Sequence, residues 1–249
     1  MKEVNDHIER KHWLLNPREE VTEETKVLPS VWEMRRKLHD NTGKVYKHKA
    51  RINFHRSENE YVVNYFNMYA PIVPWMTIWM VLVLAIINRW STQQVDFVLV
   101  YPQAPIKYNM YMELPAVIHT KYGDNNTHVL HILNNLYGQK QGGKVWNDHL
   151  VSGLQQIGFF HSKIDKCLFY IGSVILIVYV DDGIFASPFK AAIDLTIAFL
   201  RAVKYDIEDQ GTLAYYLGVN VETLADGQIK LSQQLLVDQF LNDVKLPAR

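Results

Sequence analysis

Three features of the sequence predict an α+β fold. Runs that read as strands and runs that read as helices do not alternate as βαβα, which argues against a wound parallel sheet. The stretch 174 to 187, VILIVYVDDGIFAS, reads as two half-buried strands joined by an acidic turn, with Asp182-Gly183 as the hairpin signal. A further apolar run, Val95-Asp96-Phe97-Val98-Leu99-Val100, is a candidate neighbour of that hairpin in one sheet.

Composition narrows the class. A chain of 249 residues with 48% hydrophobic content builds one large or two modest globular cores. Its single cysteine, Cys167, excludes internal disulfides and cysteine-rich zinc sites and fits a reducing compartment. The N-terminus alternates charges and lacks the apolar core, about 7 to 15 residues, of a signal peptide. The most apolar stretch, Trp75 to Ile87, falls short of the roughly 20 residues of a spanning helix, so it reads as a buried core helix. An intracellular location, with no membrane partner, is the expectation. Formal net charge is zero, but it is unevenly spread. Between Val31 and Arg56 cations outnumber anions, and from Asp206 onward the balance reverses.

Taken in order, residues 2 to 15 read as a short amphipathic helix that stops before Pro17. A hairpin is expected over roughly 31 to 53, turning at Asp40-Asn41-Thr42-Gly43. Period-two spacing in its second arm puts Lys47, Lys49 and Arg51 on one face, as a solvated row or a phosphate contact. Tyr61, Tyr65, Phe66 and Tyr69 follow, as base-stacking or loop-packing aromatics. A helix from about Thr77 to Trp90 leads into a strand from Ser91 to Val100. Asp96 inside that strand costs several kcal/mol unless it is ionised against a partner or metal, and such broken rules mark functional positions.

Pro102 and Pro105 end the strand, Met110 to Pro115 is extended, and a turn at 121 to 126 precedes Val129 to Leu136. Gly142-Gly143 weakens the start of a helix running to about Ile157, which makes sense where backbone must approach something closely. Cys167 reads as a packed thiol. Pro188 to Lys204 is amphipathic, Asp206 to Asn220 and the segment around Asp226-Gly227 give strands, and Ser232 is a candidate cap for a last helix to about Val244.

The chemistry concentrates at Asp181 and Asp182. Adjacent like charges on a tight turn repel, and a structural turn is served equally well by Asn-Gly. Mg²⁺, held by one or two carboxylates plus waters and substrate phosphates, removes that objection; a solvated turn is the plain alternative.

Tyr179-Val180-Asp181-Asp182 resembles the YxDD signature of reverse transcriptases, in the YVDD form of copia-type retrotransposons. The resemblance continues in family order through Val95 to Val98, Tyr111 to Pro115, Leu136 to Gln141, Asp206 to Asp209 and Tyr216 to Val219. It implies a right-hand polymerase fold, with an antiparallel-sheet palm, inserted fingers and a partial thumb. The implied organisation is an N-terminal extension over 1–30, mainly fingers over 31–95, a palm over 96–209 with a fingers insertion at about 115–150, and the end of the palm and start of the thumb over 210–249.

The activity implied is RNA-directed DNA synthesis. Asp96, Asp181 and Asp182 would be the catalytic, metal-binding carboxylates for two Mg²⁺ ions, with Mn²⁺ able to substitute. Lys49, Arg51, Tyr101 and Gln141 would meet the incoming nucleotide, and Lys140, Lys144 and Tyr179 the nucleic acid. Tyr101 falls where the family places an aromatic gate against ribonucleotides, and it also reads as a plain strand-end aromatic. Implied partners are an RNA or DNA template, a DNA primer and deoxynucleoside triphosphates, in a cytoplasmic particle or the nucleus.

RNase H and integrase portions belong to the full polyprotein of such elements, and their motifs do not occur in these residues. The chain departs from the family pattern at Ile52 to Ser57 and at Trp79, which stands where the family commonly shows Arg. A nuclease is a rival enzyme without a matching motif. An inactive or domesticated remnant that at most binds nucleic acid is the rival that is not an enzyme.

Overall fold

The computed structural model describes residues 2–38, 44–55, 68–224 and 228–244. The expected turn at 40 to 43, the segment from Arg56 through Tyr61, Tyr65 and Phe66, and the Asp226-Gly227 pair lie outside the described residues. The fold is mixed α and β and divides into two compact units, one of residues 1–71 with 99–153, the other of 72–98 with 154–249.

The first unit holds a four-stranded sheet in the spatial order Trp13–Pro17, His128–Asn134, Pro105–Met112, Val27–Leu28. The first three strands pair antiparallel and the last is parallel to its neighbour. Trp13, Leu28, Met110, Met112, Leu130 and Ile132 feed its core from these strands, and Val4 adds to it from the helix Lys2–Glu9. That helix is shorter than the 2 to 15 expected. Lys11 turns into the left-handed region at φ 54°, and the His12 carbonyl accepts from Leu133 N–H at 2.9 Å, so Trp13 onward is recruited as a strand. Tertiary pairing overrides the local helical pattern.

The expected hairpin forms from Ser30–Leu38 and Val45–Phe54. Cross-strand register sets Lys37 opposite Lys47, Arg35 opposite Lys49 and Glu33 opposite Arg51. Directly opposed residues share a face, so the cations do form one row, and two of its three rungs oppose like charges, which is unfavourable by itself.

In the second unit a six-stranded antiparallel sheet runs in the order Ile207–Gly211, Ser91–Phe97, Asp182–Ser187, Val174–Tyr179, Leu168–Ile171, Phe160–His161. The strand Asp182–Ser187 is buried without a break from Gly183 to Ser187, so both of its faces are covered. It is therefore not the half-buried strand that its pattern implied.

The helix Trp75–Ile87 packs Ile78, Val81 and Leu82 with Ile177, Ile184 and Ala186 of the hairpin, and Lys190–Ala202 also packs against the sheet. The strand carrying Asp96 ends at Phe97, not Val100. Leu99 takes a left-handed conformation (φ 52°, ψ 49°) and caps a short helix, Val100–Gln103. The terminal helix Gln234–Asp243 is capped at Gln233 without a side-chain bond; Ser232, the expected cap, is the last residue of the strand Ile229–Ser232.

Candidate active site

The hairpin that carries Asp181 and Asp182 turns two residues earlier than its sequence reads. Tyr179 pairs with Asp182, which leaves Val180 and Asp181 as the two turn residues and puts Asp182 and Gly183 in the returning strand. Val180 has φ 56°. A β-branched residue in that region is strained by roughly 1–2 kcal/mol.

Gly183 serves packing, not turning. A Cβ there would lie 2.8 Å from Val95 Cγ2 and 3.4 Å from Phe97 Cε2. The missing side chain lets the hairpin strand close onto Ser91–Phe97.

That closure gathers the three aspartates. Asp182 stands directly opposite Asp96, so their Cβ atoms share a face at about 4.5–5.5 Å. The Asp181 carbonyl accepts a hydrogen bond from Phe97 N–H at 2.7 Å, which ties the turn to the residue after Asp96. Burial, and then the charges of Asp181 and Asp96, push the Asp182 carboxyl up to about 6.

Tyr216 lies under the hairpin with its hydroxyl 3.4 Å from the Asp182 carbonyl, and burial raises its phenol above the ordinary range. On the other side of Asp96 the register places Glu208, an exposed acid. Sequence reasoning met Glu208 only inside the Asp206 to Asp209 block and gave it no role, because its place beside Asp96 comes from the pairing of two strands more than 100 residues apart.

Among the described residues no three His, Cys, Asp or Glu side chains form a ready-made metal cage. The arrangement is an open pair of opposed carboxylates with a third on the adjoining turn. Hard oxygen donors with like charges crowded together suit Mg²⁺, which keeps waters and takes substrate phosphates as its remaining ligands. The residues present therefore fit the ion as an open site.

The residues expected to meet nucleotide and nucleic acid, other than Tyr179, belong to the first unit. Arg51 lies over the Tyr137 ring at 4.2 Å, a cation–π contact, and its buried Nε has no hydrogen-bond partner among the described residues. Tyr101 meets the edge of the Tyr137 ring at 5.0 Å.

The close approach expected of Gly142 is to Tyr101, whose ring would lie 3.4 Å from a Cβ there. Tyr137 is itself anchored: Phe54 N–H donates to its carbonyl at 2.9 Å, and a Cβ on Gly138 (φ 87°) would fall 2.2 Å from the Phe54 carbonyl oxygen. Tyr101, Tyr137, Arg51 and the start of the helix Gly142–Gln156 thus form one constellation.

Gln141 is buried and shares a hydrogen bond with the Tyr108 phenol, a partner the sequence did not reveal. Lys144 pairs with Asp148 at 2.6 Å, whereas Lys140 and Lys49 are partly exposed. Tyr179 is half-buried at the base of the hairpin turn.

Cys167 is a packed thiol, raised to about 12 by burial and the Asp165 charge, which removes it from nucleophilic chemistry near neutrality. No helix among the described residues is long and apolar enough to cross a membrane.

Residues 18–248 match the family model described as reverse transcriptase (RNA-dependent DNA polymerase). Among curated proteins, the chain is 26% identical over 209 residues to the Retrovirus-related Pol polyprotein from transposon RE1 of Arabidopsis thaliana, covering 82% of this chain and 14% of that protein. Identity to the Retrovirus-related Pol polyprotein from transposon TNT 1-94 of Nicotiana tabacum is 23%, over 81% of this chain and 15% of the polyprotein. A putative transposon Ty5-1 protein of Saccharomyces cerevisiae is 31% identical over 114 residues, which is 44% of this chain and 37% of that one. The chain therefore spans about one seventh of the length of the plant polyproteins it matches. The family match over residues 18–248, nearly the whole sequence, makes this chain a member of the reverse transcriptase (RNA-dependent DNA polymerase) family.

Proposed function

We propose that this chain is the RNA-directed DNA polymerase segment of a copia-type Pol polyprotein and performs templated nucleotidyl transfer at Asp96, Asp181 and Asp182. The observation that carries the reading is the register of Asp182 against Asp96 with Asp181 on the adjoining turn. In this reading the second unit is the palm, the first is mainly fingers, and Gln234–Asp243 begins a thumb.

Asp96 and Asp181 would hold two Mg²⁺ ions, with Asp182 supporting them. Bound there, the ions supply charge neutralisation of the triphosphate and a lowered pKa for the primer 3′-hydroxyl. The chain's own contribution is placement. Strand pairing fixes the Asp96 and Asp182 backbones, and the Phe97 bond fixes that of Asp181.

Lys49 and Arg51 are assigned to phosphate oxygens, which suit a point charge and a guanidinium fork. Tyr101, its ring held by Tyr137 and Gly142, is assigned to excluding a 2′-hydroxyl. Gln141, Lys140, Lys144 and Tyr179 keep the nucleotide and nucleic-acid roles that the family resemblance gives them.

Primer extension on an RNA template, with deoxynucleotides and Mg²⁺ or Mn²⁺, tests the proposal. The parent extends, and Asp96→Asn and Asp181→Asn do not while remaining folded. Unchanged synthesis in either variant removes the site assignment, and no extension by a folded parent favours the remnant. Tyr101→Ala raises ribonucleotide incorporation; no change removes the gate role.

A further inference from the structure

The helix Trp75–Ile87 carries no charged residue and divides cleanly into two faces. At 100° per residue, Thr77, Ile78, Val81, Leu82 and Ala85 fall on one half and are buried in the second unit. The opposite half presents Trp75, Met76, Trp79, Met80, Val83 and Ile87 outward, with Met76 78% and Ile87 72% exposed. A surface helix ordinarily turns polar side chains to water, and a helix apolar all round is normally buried on all sides. Contiguous exposed patches beyond a few hundred Å² mark interaction sites. With side chains of about 150–250 Å² each for the larger members, this half-helix exposes roughly 700 Å².

We propose that this face binds a second copy of the same chain, forming a two-fold dimer through antiparallel packing of the two helices. Four considerations select a second copy as the occupant. The face has no charge with which to choose a charged partner. Two such faces together offer up to about 1,400 Å² for burial, a ceiling that lies within the range of a stable specific interface.

Third, a two-fold axis near the helix midpoint sets Trp75 opposite Ile87 and Trp79 opposite Val83. Each indole then meets a smaller β-branched side chain, a self-complementary, isologous arrangement. Fourth, Met76 and Met80 beside this seam are adaptable fillers. The helix has 13 residues, too few to span a bilayer, and lacks the polar face of a helix lying in a membrane surface.

Sedimentation velocity on the purified chain across a dilution series tests the proposal, beside Met80→Glu and the control Leu195→Glu. Leu195 is an exposed apolar residue on the helix Lys190–Ala202. The parent and the control sediment as dimers. Met80→Glu, which introduces two unpaired charges into one interface, weakens association by roughly 100-fold or more. Thermal unfolding verifies that the variant is folded.

Geometry has its own test, because residues 75 and 87 lie about 18 Å apart on one helix and cannot bridge within a chain. The double variant Trp75→Cys, Ile87→Cys forms a covalent dimer on oxidation, whereas Leu195→Cys does not. A parent that is monomeric at every concentration would overturn the proposal and leave the face to a different partner. A dimer that survives Met80→Glu, or assembly beyond dimers, would overturn it as well.

Discussion

Replacing Gly183 by Ala probes the closure of the hairpin onto the strand bearing Asp96. The new Cβ would sit 2.8 Å from Val95 Cγ2, 3.4 Å from Phe97 Cε2 and 3.5 Å from Leu176 Cδ1. Carbon pairs settle at about 3.5–4.0 Å, so the Val95 contact is short by roughly 0.7 Å. Val95 is fully buried and β-branched, with little rotamer freedom to yield.

Overpacking of this kind costs about 1–3 kcal/mol, and alanine recovers about 0.5–1 kcal/mol of chain entropy. The expected net loss is therefore about 1–2 kcal/mol in urea unfolding. Val95→Ala removes the opposing methyl. In that background Gly183→Ala becomes neutral or stabilising, and the four-member cycle reports a coupling on the order of 1 kcal/mol or more. Because Asp182 and Asp96 share this strand pair, primer extension falls in the single variant and returns in the double. A Gly183→Ala protein as stable as the parent, or a cycle without coupling, would refute the packing argument.

Two further outcomes follow from the same structure. Burial and the neighbouring His7 lower His12 to about 4, and the two Nδ1 atoms lie 2.8 Å apart. Neutral His12 thus contributes stability that is fully present above its unfolded value of about 6.5 and is lost as pH falls toward 4. His12→Gln should flatten the unfolding free energy across that window by about 3 kcal/mol, and an unaltered slope would contradict this. Val180→Gly relieves the left-handed strain at the turn and should raise stability by about 0.5–1 kcal/mol while lowering primer extension, since Asp181 loses its constraint. A destabilised variant would show that the turn is unstrained.

The sequence disclosed those parts of the fold that depend on local pattern. Alternating cations in Val45–Phe54 announced a shared face, and the apolar runs around Asp96 and Asp181 announced strands. The turn was misplaced because Asp182-Gly183 is a good hairpin dipeptide, yet its glycine answers to Val95, 88 positions earlier in the chain. Trp13 to Leu15 was read as helix because its partner, Leu130 to Ile132, is invisible to a local window. The same blindness to distant partners hid Glu208 beside Asp96 and Tyr108 against Gln141.

The two units also interleave along the chain, and this has a consequence for synthesis. The segment 72–98 leaves the ribosome before the 99–153 portion that completes the first unit. Its strand, Ser91–Phe97, gains its first sheet neighbour only when Asp182–Ser187 emerges, 85 residues later. At roughly 5–20 residues per second that interval lasts about 4–17 s. Through it the apolar helix Trp75–Ile87 and an unpaired strand edge wait together without a core. Within this segment the nascent chain is therefore most exposed to misassociation between the emergence of Phe97 and that of Asp182, and holdase chaperones or slower growth temperatures should raise the yield of folded protein.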